Sequence, residues 1–120
     1  MVLAVRGATQ VTSNTSEEIK TSVIELVERI MKDNKIAEED IVSIIFSLTA
    51  DITEINPATA LRETGYAAVP LFCSQEPEYT GSLPRTIRIL VTFNVEKKRD
   101  TVPVYLGGAK KLRPDLLKKG

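Results

Sequence analysis

The stretch Ile41-Val42-Ser43-Ile44-Ile45-Phe46-Ser47-Leu48-Thr49 constrains the fold of this chain more than any other. Branched and aromatic side chains dominate it and suit a pleated strand. Because apolar groups fall at both odd and even positions, the strand needs cover on both faces. A second segment, Thr86 to Val95, sharpens the requirement. There Ile87, Ile89, Val91, Phe93 and Val95 alternate with Arg88, Leu90, Thr92 and Asn94, so one face is aliphatic and Arg88 stands on the other. Val2 to Arg6 reads as a buried strand that ends in Arg6-Gly7-Ala8-Thr9 and places Arg6 at a strand end. Ala68 to Cys73 reads as a further strand, which Pro70 confines to an edge or irregular position. Val102 to Leu106 reads as the last.

Helices occupy the intervals. Thr15 and Glu18 have capping-box spacing, and Ile19, Val23, Leu26, Val27, Ile30 and Met31 follow at helical intervals, which predicts an amphipathic helix to about Asp33. Strand, helix and strand in that order predict a right-handed crossover with the first two strands paired in parallel. Asn56 before Pro57 reads as a cap with proline at the first helical position, and Gly65 as the stop of a short helix carrying Arg62. Residues 74 to 84 read as loop, and Gly107-Gly108 as a turn into a basic tail. The sum is an α+β fold with a mixed β-sheet and two helices, in one domain over residues 1–116 with a flexible tail at 117–120. Two helices cover only one face of such a sheet. The other face is therefore expected to pack against another subunit.

Composition narrows the chemistry. The chain has 120 residues with 16 basic and 16 acidic side chains, so the basic excess of nucleic-acid or anionic-membrane binding is missing. Its apolar start is too short for a signal core or a membrane span, and a cytoplasmic protein is expected. One cysteine, Cys73, and no histidine leave no disulfide, no Ser/His or Cys/His triad and no cysteine-rich metal site to expect. An enzyme of this composition must work with carboxylates, guanidinium groups, hydroxyls and positioning. Arg6, Arg62, Arg88 and Arg113 are suited to holding carboxylates, since the planar guanidinium makes bidentate, charge-assisted hydrogen bonds. Arg88 stands out because it interrupts a strand rather than a charged run. Glu76 sits where a strand runs into a loop, a common place for working residues. Cys73, with no base to activate it, reads more readily as a small buried side chain.

The ordered set Arg6-Gly7-Ala8-Thr9, Ala60-Leu61-Arg62-Glu63, Val69-Pro70 leading into Cys73-Ser74-Gln75-Glu76, Ile87-Arg88, Val104-Tyr105-Leu106 and Leu112-Arg113-Pro114-Asp115-Leu116 resembles the AroH-type chorismate mutases from about Ala4 to Leu116. That resemblance implies a pseudo-α/β-barrel homotrimer with active sites in the clefts between subunits. It also implies cofactor-free and metal-free isomerisation of chorismate to prephenate, on the shikimate route to phenylalanine and tyrosine. Carried over by residue, it implies catalytic roles for Arg88, Glu76 and Arg6, with Tyr105, Cys73, Arg62, Arg113, Ala58 and Leu112 binding substrate. The chain departs from some members at Asn56-Pro57-Ala58, where an aromatic can precede Pro-Ala, and at Thr59, where a lysine can occur. Gly107-Gly108 suggests a mobile lid. Two other readings use the same arginines: a non-catalytic trimer that binds small carboxylates, and an imine deaminase of similar trimeric build.

Overall fold

A computed structural model describes residues 1–117. Its elements are β1 (Val2–Gln10), α1 (Ser16–Asp33), β2 (Ile41–Leu48), α2 (Pro57–Arg62), β3 (Leu71–Gln75), β4 (Thr86–Asn94), β5 (Val104–Leu106) and α3 (Pro114–Leu117), with 3₁₀ turns at Glu38–Asp40 and Gly107–Lys111. The five strands form one sheet in the order β3-β2-β4-β1-β5. It is mixed: β4 runs antiparallel to both β1 and β2, whereas β5 is parallel to β1 and β3 is parallel to β2. The expected α+β class with a mixed sheet is thus observed. Of the tail expected at 117–120, residues 118–120 lie outside the described residues, and Leu117 closes α3.

Several local expectations need correction. β1 and β2 point the same way but do not pair, because β4 lies between them and bonds to both along nearly its full length. β1 continues to Gln10, so Arg6 is in mid-strand opposite Leu90 rather than at an end. β3 starts at Leu71 and reaches Gln75, later than the alternation suggested; Pro70 precedes it, and β3 is an edge as proline requires. β5 starts at Val104, and Gly107 opens a 3₁₀ turn instead of a loose loop. The two-sided apolar run of β2 also has a cause. A register shift between Ile41 and Ser43 inserts one residue, so Ile41 and Ile44 both reach the core although they are three apart, and Val42 is left exposed.

The main core lies between one sheet face and the two longer helices. Ile19, Val23, Leu26, Val27 and Ile30 of α1 meet Val5, Ile44, Phe46, Ile87, Ile89, Val91 and Phe93 of the sheet. Gly7 is required by a close approach. A methyl group there would lie 2.7 Å from the Val104 carbonyl oxygen and 2.9 Å from Ile30 Cδ1, so any larger residue pushes β5 away from β1. β5 is further tied to α1 by buried Asn34, whose amide donates to the Val102 carbonyl (2.9 Å) and accepts from the Val102 N–H (2.6 Å). No helix among the described residues is long and apolar enough to cross a membrane.

Half of the predicted capping box forms. Thr15 Oγ1 accepts from the Glu18 N–H at 3.2 Å, but the Glu18 carboxylate reaches past the cap to the Thr12 N–H (2.7 Å), the Thr12 hydroxyl and the Ser13 hydroxyl. These hydrogen bonds, the one from Ser13 foremost, hold the Glu18 carboxyl down from 4.5 to about 2. A carboxylate whose folded pKa is depressed contributes stability above its unfolded value and loses it as pH falls toward the folded value. Unfolding midpoints measured between pH 5 and pH 2 are therefore expected to fall more steeply for the wild type than for Glu18→Gln. Identical slopes would show that the network is not stabilising.

Candidate active site

Residues opposite one another in a sheet share a face, and one row crosses all five strands: Ser74 of β3, Ser47 of β2, Arg88 of β4, Ala8 of β1 and Tyr105 of β5. This is the face turned away from α1 and α2. The neighbouring row is Phe72, Ile45, Leu90 and Arg6. A polar row carrying Arg88 thus lies beside an apolar row whose Phe72, Ile45 and Leu90 are 64%, 41% and 38% exposed.

Arg88 does not stand alone. Its Nε lies 3.2 Å from Glu76 Oε1, and the Ser47 hydroxyl donates to that same oxygen. Glu76 is held there by its backbone, because its N–H continues the β2–β3 ladder by bonding the Leu48 carbonyl at 2.8 Å. The strand-to-loop reading of Glu76 therefore holds in position, with the ladder running one residue past β3. The 36% exposed Arg88 side chain and the 20% exposed Glu76 side chain are open enough to meet a ligand, yet neither is loose.

Tyr105 is buried beside them, packed with Ala8, Ala109, Leu83 and Leu112. Burial pushes its phenol up, against the opposing pull of the guanidinium groups of Arg6, Arg113 and Arg88. Arg6, which is 82 residues or more from the other two along the chain, thus joins Arg88 and Arg113 around one hydroxyl. Arg113 is itself oriented by Asp115, with Nε and a terminal nitrogen at 3.1 and 2.9 Å from its carboxylate oxygens, and this pairing raises its pKa. Arg6 is exposed and forms no ion pair among the described residues.

The structure brings together Arg6, Glu76, Arg88, Tyr105, Leu112 and Arg113, but not Ala58, Arg62 and Cys73. Ala58 is buried near the start of α2, where Asn56 Oδ1 accepts from its N–H at 2.8 Å, and Arg62 is exposed at the end of that helix. Cys73 pairs with Phe46 and packs against the main core, on the opposite sheet face from Arg88; burial pushes its thiol up. All three lie on α2 or β3, the edge strand that α2 contacts, with Ala58 and Cys73 joined through the main core. A cleft of about 460 Å³ opens between Thr49–Asp51 and the 76–84 loop, touching Glu76 but not Arg88. Within one chain the arginine-bearing row is a floor without a roof.

Sequence reasoning passed over Ser47. Its strand reads as apolar on both faces, so nothing in the sequence singled it out, and only the register shows that its neighbour is Arg88. Ala8 was likewise unremarked. Its small side chain, fully buried between Arg88 and Tyr105, spaces the two.

Comparisons with known proteins identify the family. The family model described as chorismate mutase type I matches residues 2–116. Chorismate mutase AroH of Bacillus subtilis is 39% identical over 118 residues, covering 97% of this chain and 93% of its own. Chorismate mutase AroH of Thermus thermophilus is 41% identical, with 97% of each chain covered. Among solved structures, a chorismate mutase from Clostridium thermocellum superposes with a TM-score of 0.87 at 39% identity, over 91% of this chain and 98% of that one. With a matching fold and a match over nearly the full length, this chain belongs to the type I chorismate mutase family.

Proposed function

We propose that this isomerase converts chorismate to prephenate at a site shared between two neighbouring subunits of a homotrimer. In the [3,3] rearrangement the C–O ether bond breaks as a C–C bond forms, with no proton or hydride to transfer. The protein's task is to hold a reactive conformer and stabilise the charge that develops. Arg88 faces the ether oxygen, where negative charge grows, with its guanidinium braced by Glu76. The free side of the Glu76 carboxylate accepts from the ring hydroxyl. Arg6 and Tyr105 hold the substrate carboxylates, Leu112 contributes an apolar wall, and Arg113 adds positive charge at the mouth. Ala58, Arg62 and Cys73 come from the adjacent subunit's β3 edge.

The observation that carries this reading is the division of the site residues into two groups on opposite sides of one chain, with the exposed Phe72, Ile45 and Leu90 beside the first group. A neighbour that covers the apolar row brings its own edge over the arginines, which supplies the missing roof and buries the exposed aliphatic surface. Prephenate so formed leads toward phenylalanine and tyrosine, and the proposed setting is the cytoplasm.

The test is loss of chorismate absorbance with purified protein and no added cofactor, alongside light scattering at the same concentration. Turnover by a particle of three chains is expected. An active monomer would overturn the shared site, and a folded trimer without turnover would leave a carboxylate-binding protein in place of an enzyme.

A further inference from the structure

From the geometry around Glu76 we infer that Ser47 is a positioning residue for the rearrangement, orienting the Arg88 guanidinium through the Glu76 carboxylate. The inference rests on the site proposed above and adds a residue to it. Ser47 lies in β2 directly opposite Arg88, and its half-buried hydroxyl donates to Glu76 Oε1. Arg88 Nε lies 3.2 Å from that same oxygen. One carboxylate oxygen is thus held from two adjacent strands, while the backbone of Glu76 is held to β2 by its bond to the Leu48 carbonyl.

This division of labour has a chemical consequence. With Oε1 engaged by Ser47 and Arg88, Oε2 has no donor among the described residues, and the two terminal nitrogens of Arg88 have no acceptor there. The internal contacts use the inner edge of each group and leave the outer edge for ligand. A carboxylate has two soft torsions before its plane is set, so the Arg88 contact alone would let the pair swing together. The hydroxyl, mounted on a strand whose backbone is bonded on both sides, removes that freedom before substrate arrives. A serine suits the position because its short side chain places a hydroxyl whose hydrogen can rotate onto the carboxylate oxygen.

The experiment compares Ser47→Ala, Ser47→Thr and Ser47→Val with wild type and Arg88→Ala in the chorismate assay, with folding checked by circular dichroism and thermal unfolding. Threonine and valine have the same shape and both suit a strand, so their difference isolates the hydroxyl from packing. Ser47→Ala and Ser47→Val are expected to lower kcat by about tenfold with KM changed less than about twofold, whereas Ser47→Thr stays within about threefold of wild type. In a Glu76→Ala background the Ser47→Val change is expected to have no further effect on kcat, because the hydroxyl then has nothing to hold. Equal kcat for Thr and Val, or an undiminished Val penalty in the Glu76→Ala background, would overturn the positioning role while leaving Arg88 in place. Wild-type turnover by Arg88→Ala would instead remove the site on which the role depends.

Discussion

Arg88→Ala is expected to lower kcat by about 100- to 1,000-fold while the protein stays folded. A preorganised donor aimed at developing negative charge is typically worth about 3 to 4 kcal/mol in the transition state, and less in the ground state, where the ether oxygen carries little charge. The loss should therefore fall on kcat more than on KM. Stability should change little, since Arg88 lies on the face away from the main core and its ion pair with the 20% exposed Glu76 is partly solvated. Arg88→Lys keeps a positive charge but loses the planar fork that can meet Glu76 and the substrate at once, so its rate should fall between the two. Chorismate absorbance gives the rates and circular dichroism the folding control. A folded Arg88→Ala within threefold of wild type would exclude an electrostatic role for this residue.

The second large effect concerns assembly. Ile45 lies in the apolar row between Phe72 and Leu90 and is already 41% exposed in the single chain. A carboxylate at that position stays in water as long as the chain is alone and costs little. Burying it under a neighbour without a partner costs several kcal/mol at each interface. Ile45→Asp is thus expected to run as a monomer in light scattering, to keep its helical circular dichroism, and to lose at least about 100-fold in turnover because no subunit roofs the Arg88 row. An Ile45→Asp protein that remains trimeric and active would show that this face is not the interface. One that is monomeric and active would show that each chain holds a whole site.

Both predictions turn on residues whose types were readable long before their company was. The alternation of β4 placed Arg88 on the non-core face, and the Asn56-Pro57 start and Thr15 cap marked the two longer helices, because these signals are local in sequence: a period of two, a period near 3.6, and caps within one turn. The expectation of an uncovered second face also rested on local pattern, and Phe72, Ile45 and Leu90 are exposed there. Part of that face is covered by the chain itself, since the Gly107–Lys111 turn lies over β1 and buries Ala109 against Ala8 and Tyr105. A Gly-Gly pair read as a flexible turn conceals such packing.

Pairing between strands is a different kind of information. Nothing local in Thr86 to Asn94 says that this strand enters between β1 and β2, since its hydrogen-bond partners are equally available to any strand of similar length. That insertion sets Arg88 opposite Ser47 on one side and Ala8 on the other, and so decides that Glu76 meets Arg88 and that Tyr105 lies within the field of three arginines. It also separates Cys73 from Arg88 by the thickness of the sheet, because neighbours along a strand point to opposite faces. The sequence by itself determined the main strands and the two longer helices, the buried faces of α1 and β4, the absence of histidine and the ordered motifs of the family. Tertiary structure alone decided which of the marked residues share a face, because strand order and register depend on contacts between segments far apart in the chain, and no short-range preference encodes them.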